Sequence, residues 1–217
     1  MIEVLTNPDK FFEDRMKEEE RLKIPALIVL IIGITSGIAA FLMGRITAEL
    51  LRGTLPPEAE GFISIMPISM AIFALIFSLI VWVVFAVVFF AISLALKGKG
   101  TFKRTLEFVG YGYIPMIIGG VISVTLMYYV VYYVFPTMSI PPVTDPAKVG
   151  EALEPVMKSQ MMLLSSALGI LFTLWSANIW VFGLKHARNL TTKNAVVTVA
   201  IPVAAQVLFA IYQMGVI

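Results

Sequence analysis

Long apolar stretches alternate with short polar intervals along the whole chain. Five apolar runs lie near 24–43, 68–96, 113–135, 162–184 and 195–217, and each is about as long as, or longer than, the roughly 20 residues a helix needs to cross a hydrocarbon core of about 30 Å. The 16 Lys and Arg and the 14 Asp and Glu all fall before or between these runs. A charge at mid-membrane costs about 2.5–3.5 kcal/mol on insertion scales, so the pattern predicts an all-α integral membrane protein with five transmembrane helices. It also divides the chain into a charged, amphipathic lead at 1–23 and a membrane domain at 24–217. The second run is long enough to tilt or to continue as helix beyond the bilayer. No turn residue interrupts Phe73–Phe90, so it is a single span.

The polar intervals predict short interfacial helices. Asn7-Pro8-Asp9 has the form of an N-cap followed by proline at the first helical position. A helix from there places Phe11, Phe12 and Met16 toward the membrane and Glu18, Glu19 and Glu20 toward water; a solvated charged lead is the simpler alternative. After the flexible turn Lys97-Gly-Lys-Gly100, Thr101 is a plausible N-cap, and Phe102, Leu106 and Val109 recur at helical spacing. Gly110 and Gly112 are then expected to end this second helix, with Pro115 opening the third span. Tyr111 and Tyr113 are expected at headgroup depth, their hydroxyls in the wet layer, in a hinge whose role is structural rather than partner-binding. Tyr128, Tyr129, Tyr132 and Tyr133 read as an aromatic belt at the far end of the same span. In the connection 136–161, Asp145-Pro146 starts a further short amphipathic helix that Pro155 should bend or end.

Charge sets the orientation. The lead and the connections after spans two and four hold 12 Lys and Arg, and the remaining connections hold 4, together the 16 in the chain. The positive-inside rule puts the N-terminus in the cytoplasm and the C-terminus outside, in the cell membrane if the source is prokaryotic. Composition agrees: 59% hydrophobic and 14% charged residues, against about 45–50% and 25% in soluble domains. A net charge of +2 gives no reason to expect nucleic acid, and the absence of cysteine removes disulfides and thiolate chemistry. The polar lead lacks the form of a cleavable signal, so the first span is expected to act as its own insertion signal.

Inside the spans the candidate chemistry is sparse. Gly33-Ile-Thr-Ser-Gly37 is a small-xxx-small motif, and Ser165, Gly169, Thr173 and Ala177 form a four-spaced groove; both predict close helix contact, within the chain or across a homo-oligomer. Trp175, Ser176 and Asn178 in span four, with Gln206 in span five four residues after Pro202, are the intramembrane polar residues. Hydrogen bonding between helices is their default role, and a substrate or ion path in a small transporter or channel is the alternative. No ionisable residue lies at membrane depth, His186 has no acidic neighbour in sequence, and no His, Asp or Glu cluster suggests a metal. The expectation is a protein that is not an enzyme and carries no cofactor.

Several segments together resemble the Yip family, membrane proteins named for interacting with Ypt/Rab GTPases. They are Asn7-Pro-Asp-Lys-Phe-Phe12, Lys99-Gly-Thr-Phe-Lys-Arg104, Tyr111-Gly-Tyr-Ile-Pro115, and Trp180 through Gly183-Leu-Lys-His-Ala-Arg-Asn-Leu190 with Asn194-Ala195. The resemblance covers nearly the whole chain and implies a helical membrane bundle with a cytoplasmic N-terminus, with roles in membrane traffic among eukaryotic members. Those members carry a longer cytosolic N-terminal region; the present lead is more like that of the short prokaryotic members. The expected function is that of a membrane-organising scaffold that binds lipids, anionic headgroups among them, or an unidentified membrane or cytoplasmic protein. The candidate contacts are Lys97, Lys99, Lys103, Arg104, Tyr111, Tyr113, Lys185, Arg188 and Lys193. The lead holds 7 acids against 5 bases and the two basic connections 7 bases against one acid, Glu107. The N-terminal helix is therefore expected to lie across the basic connections as a displaceable cover, with anionic headgroups competing for the same bases.

Overall fold

The computed structural model describes residues 2–52, 54–141 and 143–215, and among them it is helical with no strands. Two short helices come first, α1 (Glu3–Thr6) and α2 (Pro8–Arg15). The Asn7 side chain accepts from the Lys10 backbone N–H at 3.3 Å, which is the expected N-cap. Next come α3 (Lys23–Leu51) and α4 (Glu60–Ala95), each longer than the apolar run that announced it. The 36 residues of α4 span about 54 Å at 1.5 Å per residue, well beyond a hydrocarbon core of about 30 Å.

These two helices form an antiparallel pair locked by glycines of α3. A Cβ at Gly33 would lie 2.5 Å from Ser78 Oγ, one at Gly37 3.1 Å from the Ala71 carbonyl, and one at Gly44 2.7 Å from Pro67 Cα. Hydrogen side chains let the backbones approach, as membrane helix pairs require where lipid supplies no hydrophobic drive. The motif at 33–37 is thus satisfied within the chain.

Helix α5 (Phe102–Gly112) starts at Thr101, whose side chain accepts from Arg104 N–H at 3.0 Å. Tyr113 alone separates it from α6 (Ile114–Tyr129), which continues through a widened π turn (Val130–Val134) and a 3-10 turn (Phe135–Thr137). The four tyrosines 128, 129, 132 and 133 are exposed here, as an aromatic belt should be. Asp145 caps the turn Pro146–Lys148 by accepting from Ala147 N–H at 2.9 Å. Helix α7 (Val149–Met157) follows and runs two residues past Pro155. The chain closes with α8 (Gln160–Ala187) and α9 (Thr192–Gln213).

Five helices, α3, α4, α6 with its extension, α8 and α9, are long and apolar enough to cross a membrane. α3 packs on α4 and α6, α8 on α6 and α9, and α9 on α4, which closes a ring. α5 lies under one end of that ring against α3, α4 and α8, and α2 packs on α8 at the same end. The N-terminal lead, the α4–α5 connection and the α8–α9 turn therefore share one end, since two spans separate each from the next.

The structure corrects one local expectation. α5 runs through Gly110 and closes at Gly112, but neither glycine adopts the left-handed φ of a glycine stop. Their role is clearance. A Cβ at Gly110 would lie 2.5 Å from Pro25 Cβ, and one at Gly112 would collide with the indole of Trp180.

Candidate functional site at the basic end

Three side-chain arrangements tie the N-terminal lead to the bundle, and a fourth pins the neighbouring turn. Phe12 is wholly buried, its ring 4.6 Å from that of Phe108 and against Gly183. Phe11 meets the edge of Tyr111 at 5.2 Å. The apolar side of α2 thus faces α5 and α8 rather than the membrane, while Met16 stays exposed. The sequence placed all three toward lipid; aromatic partners on two other helices decide otherwise.

Next to these rings, Glu107 of α5 has no exposed surface and takes one guanidinium on each oxygen, Arg15 Nε at 2.7 Å and Arg104 Nη1 at 2.9 Å. Burial works against the Arg15 charge, but the Glu107 carboxylate outweighs it and holds the guanidinium above its ordinary value. The same arginines hold the segment that follows α2: Arg104 donates to the Glu18 carbonyl at 2.6 Å and Arg15 to the Glu19 carbonyl at 3.0 Å. Backbone carbonyls outside regular structure need such donors when they pack against the protein. Glu18 pairs with Arg15, and Glu20 accepts from Thr101.

Asp9 makes the third link. Its carboxylate accepts from Lys185 Nζ at 2.8 Å and lies 2.6 Å from His186 Nε2. Lys185 first and His186 second hold this carboxyl below the usual carboxylate range. The acidic neighbour that His186 lacks in sequence is thus supplied across 177 positions.

The fourth arrangement is a clamp on the turn Lys97–Gly100. Arg188, 1% exposed, donates to the Gly98 carbonyl at 3.0 Å, to the Gly100 carbonyl and to Ser93 Oγ at 2.8 Å, and lies 4.1 Å from the centre of the Phe90 ring. Burial lowers its proton affinity, and carbonyl oxygens and a ring face take the place of a carboxylate. Gly100 at φ 121° passes against the Ala187 carbonyl, where no Cβ would fit. This turn is pinned by a buried arginine. Trp82 and Trp180 complete the seat by donating to the Leu106 and Val109 carbonyls at 3.0 and 2.8 Å.

The predicted contact residues therefore divide. Lys97, Lys99, Lys103 and Lys193 are exposed. Lys185 is half-buried on Asp9, while Arg104 and Arg188 are buried with their donors engaged inside the protein. Tyr111 and Tyr113 are buried rather than wet. Burial raises the Tyr111 hydroxyl, and Arg15 partly offsets that shift. Sequence reasoning passed over Phe12, Asp9, Arg15 and Glu107 as a docking set. The available signal was Glu107 itself, the single acid among seven bases in these connections.

At membrane depth the polar residues are not brought together. Trp175 and Asn178 are exposed, with Trp175 stacked on Phe172. Ser176 is buried with no partner for its hydroxyl among the described residues. Gln206 is also exposed, at the edge of a cavity between the spans, and does not bond to Asn178. Gly169 opens on that cavity too, so the small-residue groove of α8 is not a line of tight contact along its length. Among the described residues no three His, Cys, Asp or Glu side chains are grouped to hold a metal ion.

A ring of five spans with a short helix seated under one end defines a multi-pass membrane protein of helical-bundle type. The Yip1 domain family model matches residues 2–214, and the chain belongs to that family. An uncharacterized protein of Methanocaldococcus jannaschii is 37% identical over 129 residues, which is 59% of this chain and 89% of the relative. No solved structure matches.

Proposed function

We propose that this Yip1-domain protein is a non-enzymatic membrane organiser whose basic end faces the cytoplasm and binds anionic headgroups, with the N-terminal lead as a displaceable cover. The observation that carries the reading is the seat of α2: one buried ring, Phe12, and the charge contacts of Asp9 and Arg15 hold it against α5 and α8. Four exposed lysines, 97, 99, 103 and 193, lie in α5, its preceding connection and the first turn of α9, at the same end of the bundle. Each basic residue near an anionic surface contributes about 1 kcal/mol of attraction. Headgroups gathered by these lysines then compete with Asp9 for Lys185, while the buried arginines keep the fold.

The acids that hold the cover in this reading are Asp9 and Glu20 rather than the full run of glutamates, because Glu18 and Glu19 keep exposed side chains. Phe12→Ala tests it in sealed vesicles containing phosphatidylglycerol. The variant should speed trypsin cleavage within 97–103 and increase photo-crosslinking of that segment to a headgroup probe. Equal rates in variant and parent at low salt would count against a cover. Crosslinking to a co-purifying protein instead of the lipid probe would move the proposal to a protein partner.

A further inference from the structure

We propose that the centre of the helix ring is a binding chamber for an uncharged amphiphile, a hydrocarbon chain with a hydroxyl or carbonyl head, held at Tyr113 and Gln206. All five spans contribute. An inner cavity of about 260 Å³ is lined from α3, α4, α6, α8 and α9, together with Tyr113 at the start of α6. A larger cavity of about 480 Å³ adjoins it and reaches Met157, Gln213 and Met214 at the opposite end from the basic face. Ile32, Ser36, Met116 and Gln206 line both, so the two are neighbouring chambers of one space. Binding sites for small organic molecules fall in the range of about 300–1,000 Å³.

Chemistry narrows the occupant. No charged residue lines either chamber, and an ion placed there would lose its hydration without gaining a counter-charge. The inner walls are Val29, Val81 and Phe85, which suit a hydrocarbon, with the exposed Phe77 at the rim. Against that apolar wall stands Tyr113, 7% exposed, whose hydroxyl has no hydrogen-bond partner among the described residues. The adjacent Trp180 cannot serve it, because its N–H is taken by the Val109 carbonyl. A buried hydroxyl without a partner destabilises a fold, and a ligand acceptor is what would satisfy it. Gln206, an exposed residue at the mouth of the chamber, adds one donor group and one acceptor. Tyr113 and Trp180, packed edge to face at 5.0 Å, lie in the core cluster that Phe12 and Phe108 extend toward the basic end. The arrangement suits retention of a ligand rather than passage through the ring.

The test uses the full chain in detergent with three probes: hexadecanol, palmitate and hexadecane. Hexadecanol should raise the unfolding temperature, and its diazirine analogue should label residues of α6 and α9 around the chamber. Tyr113→Phe removes only the unpaired hydroxyl; it should weaken hexadecanol binding about tenfold, the size of one lost hydrogen bond, while leaving the ligand-free protein as stable or more so. Palmitate and hexadecane should bind at least about tenfold more weakly in the parent. If Tyr113→Phe does not fold, Gln206→Leu carries the same comparison. Unchanged affinity in the variant, equal affinity for palmitate, or labelling confined to outward residues of α4 such as Phe73 would overturn the assignment.

Discussion

Glu107 holds two guanidiniums with its side chain wholly out of water. Removing one member of a buried charge set leaves the others uncompensated, a loss of about 3–5 kcal/mol. Glu107→Gln should therefore lower the unfolding temperature markedly in detergent, whereas Glu18→Gln, on a 64% exposed side chain, should do little. Two helical glycines make an equally sharp contrast. Gly112→Ala drives a methyl into the Trp180 ring and should cost about 1–3 kcal/mol. Gly169→Ala meets nothing within 4 Å and should be close to neutral. At this scale the sequence was a poor guide, because a glycine that breaks a helix and one that makes room for a neighbour look alike until the neighbour is known.

Helix ends were more legible. The caps at Asn7, Thr101 and Asp145 lie where the residue pattern puts them, since capping depends on residues two or three apart. Which surface a short helix covers was not legible: α2 and α5 have the apolar spacing of interfacial helices but turn those faces onto each other and α8. The docking of α2 should depend on pH through Asp9. Its carboxyl is held below the ordinary range when folded, so its contribution is fully present above about pH 4 and is lost as pH falls through the lower folded value. Hydrogen exchange of α2 amides should accelerate over that acid range in the parent and less in Asp9→Asn, which is already weakened at neutral pH. Phe12→Ala, which empties a filled aromatic site, should accelerate the same amides at every pH, by an opening cost of up to about 3–5 kcal/mol.

For the whole molecule, the lead and the α9 end lie at opposite ends of the bundle, with the basic connections at the end of the lead. The chain has no cysteine, so single-cysteine variants report accessibility without background. Thr6→Cys and Ser139→Cys, both at exposed positions, should react with impermeant maleimide from opposite faces, Thr6→Cys from the cytoplasmic one. Reaction of both from one face would remove the proposed inner surface. The span count and the grouping of the basic connections follow from hydropathy and charge alone, because they depend on composition summed over some twenty residues against lipid, a solvent that does not discriminate one apolar side chain from another. Closure of the spans into a ring, the burial of Arg104 and Arg188 among carbonyls, and the meeting of Arg15 with Glu107 across 92 positions were settled only in three dimensions. Those outcomes depend on which side chains become neighbours, and local periodicity carries no record of a partner so far along the chain.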